Sequence, residues 1–158
     1  MVNILIVYYS RSGNTKKMAE LIKGGVEKEK VGVEVKDVKD TKVQDLLNAD
    51  TIIMGSPVYY GSMAAPLKEL LDSSVSNHGD LDGKIGGAFS SSANIAGGNE
   101  TTILDILNAL LIHGMIIQGD PKGDHYGPVS IGKPDQRAEK ECLRFGQRIA
   151  QLTQRLKG

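Results

Sequence analysis

The sequence predicts an α/β fold in which one parallel sheet has helices on both faces. Short apolar runs alternate with longer segments of helical periodicity along the chain. Residues 3–9 form a continuous apolar run, which is typical of a strand covered on both faces. Strands separated by helices are joined by right-handed crossovers, which make neighbouring strands parallel.

The first strand, residues 3–9, is followed by a helical pattern over about 14–30. An alternating strand, Val31 to Val38, is expected near a sheet edge because one of its faces is polar. Buried strands are predicted at 49–56 and 83–92, and a short fifth strand at MIIQG. The segment APLKELLD is predicted to be a helix with Pro66 near its first turn. A further helix begins near residue 99 and ends at Gly114. The last helix carries an apolar stripe at steps of three and four: Ala138, Cys142, Phe145, Ile149, Leu152 and Leu156.

Size and composition indicate one domain, residues 1–158, in the cytoplasm. The 19 Lys and Arg balance the 19 Asp and Glu, and there is no Trp, so neither a nucleic-acid face nor a membrane surface is indicated. No run has transmembrane length, and the first residues lack the charged region of a signal peptide. The one cysteine, Cys142, cannot form an internal disulfide and is expected to be a small buried hydrophobic residue.

The candidate chemistry lies in three loops that follow buried strands, since ligands bind at the carboxyl ends of strands in open α/β sheets. The first loop, SRSGNT, opens a helix with hydroxyls, an amide and a glycine, which suits a phosphate at the helix N-terminus. The alternative is an ordinary helix cap, for which one Ser or Thr would suffice. Arg11 either contacts the phosphate or points outward.

The other two loops favour a planar ligand with several polar edges. Residues 56–63, SPVYYGSM, place two tyrosines before a glycine, and either ring could lie against a planar ligand or pack onto the core. Residues 90–100 supply serines, asparagines and glycines for hydrogen bonds to a second edge. The irregular stretch 119–136 is long enough to suggest a functional or interface role.

Several phosphate-binding classes are excluded by what the first loop lacks. The chain contains neither G-x-x-x-x-G-K-[ST] nor G-x-G-x-x-G. The only cysteine is on the last helix, which excludes a cysteine phosphatase loop, and no acidic residue follows the first strand, which excludes a phospho-acceptor domain. The pattern that remains is an anchor that holds a mononucleotide phosphate without hydrolysing it.

Three segments in this order and spacing resemble flavodoxin-like FMN-binding proteins. SRSGNT resembles the flavodoxin phosphate loop. GSPVYYGSMAAPLKELLD, FSSSANIAGGNETTILDILNALLIHGM and HYGPVSIGKPD are similar to segments of the tryptophan-repressor-binding-protein type (WrbA-like) NAD(P)H:quinone oxidoreductases. The resemblance covers nearly the whole chain. It implies a three-layer, doubly wound, five-stranded parallel sheet with strand order 2-1-3-4-5.

The resemblance also implies roles for individual residues. The phosphate would be held by Ser10, Arg11, Ser12, Gly13, Asn14 and Thr15; the isoalloxazine ring would be lined by Pro57, Val58, Tyr59, Tyr60 and Gly61; and its other edge and ribityl chain would be held by Ser91, Ser92, Ala93, Asn94, Gly97 and Gly98. His113 matches a family histidine near the open flavin face and is the candidate catalytic residue. Tyr126 matches a tyrosine that lies near a flavin pocket in the assembled enzyme.

The implied function is an FMN-dependent oxidoreductase that reduces quinones with NAD(P)H in a ping-pong reaction. The alternative is a flavodoxin-type electron carrier, against which the neutral charge counts because such carriers are typically very acidic. A third reading is a domain that binds FMN for structure alone. A homodimer is expected, with a homotetramer as the other assembly. No metal is expected, because no two histidines share a ligand spacing with a carboxylate or cysteine.

Two departures from the family bear on the acceptor and the assembly. The segment KDTKVQDLLN between the second and third strands is shorter than in family members, where it helps to build the oligomer. The family tryptophan over the flavin is absent, and His78 lies in the nearest matching stretch.

Overall fold

The structure, a computed structural model, describes residues 2–158 and is built around a six-stranded parallel sheet. The five main positions follow the order β2-β1-β3-β4-β5, which confirms the predicted topology. The strands are β1 (Asn3–Tyr8), β2 (Gly32–Asp37), β3 (Thr51–Pro57), β4 (Ile85–Ser92), β5 (Ile116–Ile117) and β6 (Val129–Ile131).

The fifth position of the sheet is shared by two short strands. β5 pairs with Ile85 and Gly86 at the start of β4, and β6 pairs with residues 90–92 at its end. Since β3 occupies the other edge of β4, β5 and β6 lie one after the other along the same edge. The prediction that all of 119–136 is irregular was therefore wrong for β6. Three residues between a proline and a glycine are too few to show a strand period.

Five α-helices cover the two faces of the sheet. They are α1 (Asn14–Lys28), α2 (Val43–Asn48), α3 (Ala65–Ser73), α4 (Asn99–Ile112) and α5 (Gln136–Lys157). Gly114, with φ 81°, follows the end of α4, as predicted from the sequence.

Two apolar cores result from the alternation of side chains along the buried strands. Ile4 and Ile6 of β1 face one way and pack with residues of α1 and α5. Leu5 and Val7 face the other way and pack with residues of α2, α3 and α4. Both faces of β1 are therefore covered, which explains its continuous apolar sequence.

The segment between β5 and β6 is held against α5 by ion pairs. Asp120 accepts two hydrogen bonds from Arg144, at 2.8 and 2.9 Å, and lies 3.4 Å from Nε of Arg148. The Arg144 hydrogen bonds hold the pKa of Asp120 well below its usual range. Asp124 likewise pairs with Arg137 at 2.8 Å. These contacts fix the segment that carries Tyr126.

Most of the stripe predicted for the last helix is buried or half-buried, while Leu156 at its end is exposed. Cys142 is fully buried, as predicted, and burial raises the pKa of its thiol to about 12. We therefore expect iodoacetamide at pH 8 to leave the folded protein unmodified and to add one group per chain after denaturation. Mass spectrometry measures both. Rapid labelling of the folded protein would contradict the buried position.

Across residues 2–158, no helix combines the length and apolar character needed to cross a membrane.

Candidate functional site

The three polar loops meet in one cleft at the carboxyl ends of β1, β3 and β4. The cleft has a volume of about 510 Å³, which is in the range of small-molecule and cofactor sites. Ten of the predicted site residues line it: Arg11, Ser12, Asn14, Thr15, Pro57, Val58, Tyr59, Ser91, Ser92 and Ala93. Gly132, just after β6, also lines the cleft and was not predicted, because the strand that places it there was missed.

The N-terminus of α1 has no side-chain cap, so the loop before it is not the ordinary helix cap that was the alternative to a phosphate site. Its N-cap residue is Gly13, in the left-handed conformation with φ 96°, and no side chain accepts a hydrogen bond there as a cap. The Ser10 hydroxyl instead accepts a hydrogen bond from the N–H of Gly13 at 3.1 Å and so shapes the loop. The backbone N–H groups of the first helical turn are thus left for an anion.

The charge around this helix end favours an anion. The first turn of α1 contains no acidic residue, so no carboxylate within that turn opposes the partial positive charge of the helix N-terminus. Arg11 is exposed and lines both the cleft and a neighbouring depression, which Lys16, Asp37 and Asp40 also line. A Cβ at Gly13 would meet no atom within 4 Å, so the space above the loop is open.

Two short contacts tie the three loops together. The hydroxyls of Thr15 and Ser91 are 2.9 Å apart and buried, which joins the start of α1 to the end of β4. The N–H of Val58 donates to the carbonyl of Ser91 at 2.8 Å, which joins the second and third loops. The walls of the cleft are therefore fixed relative to one another before any ligand binds.

The two adjacent tyrosines form a tight turn at the mouth of the cleft. Tyr59 and Ser62 exchange two backbone hydrogen bonds, at 2.9 and 3.1 Å. Between them, Tyr60 (φ 50°) and Gly61 (φ 77°) are both left-handed, the pattern of a type I′ turn. A tyrosine in this conformation costs about 1–2 kcal/mol. The turn leaves the Tyr60 ring fully exposed, and such local strain is typical of functional sites.

Glycine is required where the third loop meets this turn. A Cβ on Gly98, whose φ is 102°, would lie 3.0 Å from both the Cα of Gly61 and a methyl of Val58. Asn99, the next residue, donates to the carbonyls of Ser90 and Ser130 at 3.2 and 3.3 Å. The third loop is therefore anchored to both β4 and β6. Ser10, Gly13, Tyr60, Gly61, Asn94, Gly97 and Gly98 lie in the same three loops but do not line the cleft itself.

Asp105 of α4 holds the tyrosine turn in place and was not predicted from the sequence. Its Oδ2 accepts hydrogen bonds from the hydroxyl of Ser62 and, at 3.1 Å, from the N–H of Met63. The side chain is only half-buried. A single acid within the apolar helix ILDILNALLI was the signal that could have found it.

The structure does not bring His113 to the cleft. α4 begins beside the loops and runs for 14 residues, so its C-cap, His113, lies ~20 Å away from them. It is therefore at the other end of the sheet, where the amino ends of the strands lie. There, its Nε2 is 2.8 Å from the hydroxyl of Ser74. Because Ser74 donates its own proton to the carbonyl of Leu71, the imidazole Nε2 is the donor. Within one chain, His113 therefore does not line the predicted flavin site.

The environment of His113 favours its neutral form. The ring is buried, and Nδ1 has no partner among the described residues. Burial lowers the pKa of His113, and the exposed His78, with its ring centroid 5.9 Å away, lowers it further. The imidazole is accordingly uncharged at neutral pH.

Tyr126 lies near the first turns of α4 but outside the cleft. It is half-exposed and lines a smaller depression of about 160 Å³ with Glu100, Ile103 and Asp124. His125 beside it is exposed and bonds through Nδ1 to the carbonyl of Asp120 at 2.7 Å. In residues 2–158, no group of three or more His, Cys, Asp and Glu side chains is placed to hold a metal ion.

Comparison with known proteins identifies the family of these loops. Residues 5–105 match the Flavodoxin domain. The chain is 39% identical to a flavodoxin of Aquifex aeolicus, over 96% of this chain and 86% of the other. It is 30% identical to an NAD(P)H dehydrogenase (quinone) of Archaeoglobus fulgidus, over 99% and 100% of the two chains.

The fold also matches that of a solved structure. A flavodoxin, WrbA-like protein from Agrobacterium tumefaciens superposes with a TM-score of 0.84, covering 99% of this chain and 100% of the other at 23% identity. The strand order and the flanking helices are thus those of known flavodoxin-like proteins.

Proposed function

The chain belongs to the flavodoxin-like family of the WrbA type, and from this we propose that its cleft binds FMN and that the protein reduces quinones with NAD(P)H. The observation that carries the proposal is the uncapped N-terminus of α1 inside a cleft that two further loops complete. One end of that cleft suits a phosphate. The other end offers an exposed aromatic turn for a flat ring.

The residues present fit FMN at each part of the molecule. The first-turn N–H groups of α1 and the hydroxyl of Ser12 would bind the phosphate, and Arg11 lies close enough to add positive charge. Val58 and Tyr59 would line the ring on one side, with Ser92 and Ala93 on the other. The absence of a Cβ at Gly98 lets the third loop pack against Gly61 and Val58, which holds the second loop beside the cleft.

In this proposal FMN supplies the redox chemistry, taking electrons from the nicotinamide and giving them to the quinone. The overall reaction consumes one hydride from NAD(P)H and one proton from solvent, and the quinone becomes a hydroquinone. The protein would bind and orient the reactants. A role for His113 in proton transfer would require a partner's cleft, because its own is ~20 Å away. The homodimer stays a prediction.

Turnover by the purified protein tests the proposal. After loading with FMN it is expected to absorb in the flavin region and to oxidise NADH or NADPH only when a quinone is present. Parallel lines in double-reciprocal plots at several quinone concentrations would support a ping-pong reaction. If the FMN-loaded protein oxidised neither NADH nor NADPH with any quinone tried, the enzyme proposal would be contradicted.

A flavodoxin-type electron carrier is the second candidate, and one observation favours it. The cleft is lined by no His, Asp or Glu among the described residues, so the chain places none of these proton-transferring groups beside the cofactor. The same cofactor would then serve protein partners. A redox titration of the FMN-loaded protein separates the two. Two one-electron steps at well-separated potentials favour the carrier, and one two-electron step favours the quinone reductase.

A further inference from the structure

The tyrosine turn, residues 59–62, is held in a conformation that its own residues disfavour. Tyr60 has φ 50° and its ring is fully exposed, so no packing of that ring offsets the left-handed backbone. Gly61 follows with φ 77°, which glycine adopts freely. The backbone hydrogen bonds between Tyr59 and Ser62 close the turn, but such bonds close unstrained two-residue turns as well. The left-handed form therefore depends on contacts from outside the loop.

Asp105 supplies a polar contact at the far end of the turn. Its Oδ2 accepts hydrogen bonds from the hydroxyl of Ser62 and from the N–H of Met63. Hydrogen bonds to an ionised acceptor are roughly twice as strong as those between neutral groups. Ile106 and Leu107, the next two residues of α4, are buried in the core, so the helix cannot follow the loop if the loop moves. Asp105 thus ties the turn to a fixed point.

The first turn of α4 contacts the same loop on its other side. A Cβ at Gly98 would lie 3.0 Å from the Cα of Gly61, so the two backbones are in close contact. The hydroxyl of Thr101 donates to the carbonyl of Gly98 at 3.0 Å, which fixes this end of the helix. The contact between the two glycines is van der Waals packing alone, and it is Asp105 that attaches the turn through hydrogen bonds.

The tyrosine turn continues the wall of the cofactor cleft on which the flavin ring is proposed to lie. Val58 lines that wall and is tied to the carbonyl of Ser91 by a backbone hydrogen bond of 2.8 Å, so its place does not depend on the turn. Tyr59, the next residue along the wall, is the first residue of the turn. From Tyr59 onward, the shape of the wall follows the conformation of the turn.

We infer that Asp105 is a positioning residue for the flavin ring, because it keeps the tyrosine turn in its left-handed form before the cofactor binds. The inference rests on the proposed function, since it requires FMN in the cleft. A ligand that needs one of two conformations loses apparent affinity in proportion to the fraction of chains in the other. Without the carboxylate, nothing on α4 except the Gly98 contact opposes the strain at Tyr60, and the relaxed turn becomes the populated form.

Removing the carboxylate is expected to weaken the binding of FMN and of riboflavin by the same factor, because the turn borders the ring and not the phosphate. In Asp105→Ala both Kd values rise at least tenfold, which corresponds to about nine relaxed turns for each left-handed one. Asp105→Asn restores both within a factor of about three, since its amide oxygen accepts the same two hydrogen bonds. The matched control is Asn108→Ala, at an exposed position one turn further along α4.

Amide hydrogen exchange reports on the turn itself, in protein without flavin. The N–H of Ser62, which donates to the carbonyl of Tyr59 at 3.1 Å, is expected to exchange slowly in the wild type and in Asp105→Asn. In Asp105→Ala it exchanges at nearly the rate of an unstructured peptide, and saturating FMN slows it again. The amide of Phe89, a fully buried residue of β4, stays protected in all variants, which separates a released turn from an unfolded protein.

Neither readout needs turnover, so the two proposals fail separately. Unchanged flavin affinity in Asp105→Ala, or slow exchange of Ser62 in that variant, overturns the inference even where the enzyme is active. A loss of FMN affinity that spares riboflavin overturns it too, since the carboxylate would then act on phosphate binding. An asparagine variant as weak as the alanine variant would mean that charge, and not the held turn, governs affinity. The expected affinities without any NAD(P)H oxidation support the inference and contradict the proposed enzyme.

Discussion

Replacing Gly25 with alanine is expected to lower the free energy of unfolding by about 3 kcal/mol, the upper part of the usual cost of overpacking. A Cβ at Gly25 would lie 2.1 Å from the backbone carbonyl oxygen of Leu143, where α1 meets α5. On the α5 side, a Cβ at Gly146 would lie 2.1 Å from the carbonyl of Ile22. The two helices therefore touch backbone to backbone, and neither can yield by turning a side chain.

The neighbouring glycine provides the control. A Cβ at Gly24 would meet only the side chain of Leu143, at an ordinary 3.5 Å. Gly24→Ala should therefore raise the free energy of unfolding by ~0.5–1 kcal/mol, the difference in helix propensity. Urea unfolding followed by circular dichroism measures both variants. If Gly25→Ala proved as stable as Gly24→Ala, the close contact between α1 and α5 would not exist.

The convergence of the three polar loops could be predicted from the sequence because it follows from topology. Strands that alternate with helices are parallel, so the ends of β1, β3 and β4 must lie at one edge of the sheet. Polar residues after each strand then face a common space. Local composition was enough to choose this end of the sheet, and residues of the three loops line one cleft there.

The left-handed turn at Tyr60 could not be predicted, because it depends on contacts far along the chain. Nothing in VYYG specifies φ 50° at a tyrosine, which ordinarily avoids it. The turn is stabilised by Asp105 on a helix that starts 39 residues after Tyr60, and by the close approach of Gly98. Of these tertiary contacts, only Asp105, the single acid in an apolar helix, could have been noticed in the sequence.

The placement of His113 shows what helix geometry adds to the resemblance. The sequence already predicted a helix from residue 99 to Gly114, which follows a strand end and runs back along the sheet. A residue at the end of such a crossover helix lies at the opposite edge from the strand-end loops. Helix length alone therefore separates His113 from the cofactor cleft within one chain.

Replacing Ser12 with aspartate is expected to weaken FMN binding about 100-fold and to leave riboflavin binding within a factor of three. Ser12 lines the cleft beside the uncapped start of α1, where the phosphate is proposed to bind. A carboxylate there opposes a phosphate that carries nearly two negative charges. Two like charges ~4 Å apart near a protein surface repel by several kcal/mol before screening, and a 100-fold loss corresponds to about 2.8 kcal/mol.

The matched control is Ser12→Asn, which has nearly the same shape as aspartate and no charge. We expect it to bind FMN within a factor of about five of the wild type, because an amide can still donate to a phosphate oxygen. Quenching of flavin fluorescence on titration of the apoprotein measures all the affinities. Equal losses of FMN and riboflavin in Ser12→Asp would mean that this loop does not hold the phosphate. Equal FMN losses in the aspartate and asparagine variants would mean that shape, and not charge, governs the site. The proposal requires that FMN alone be lost and that only the charged variant lose it.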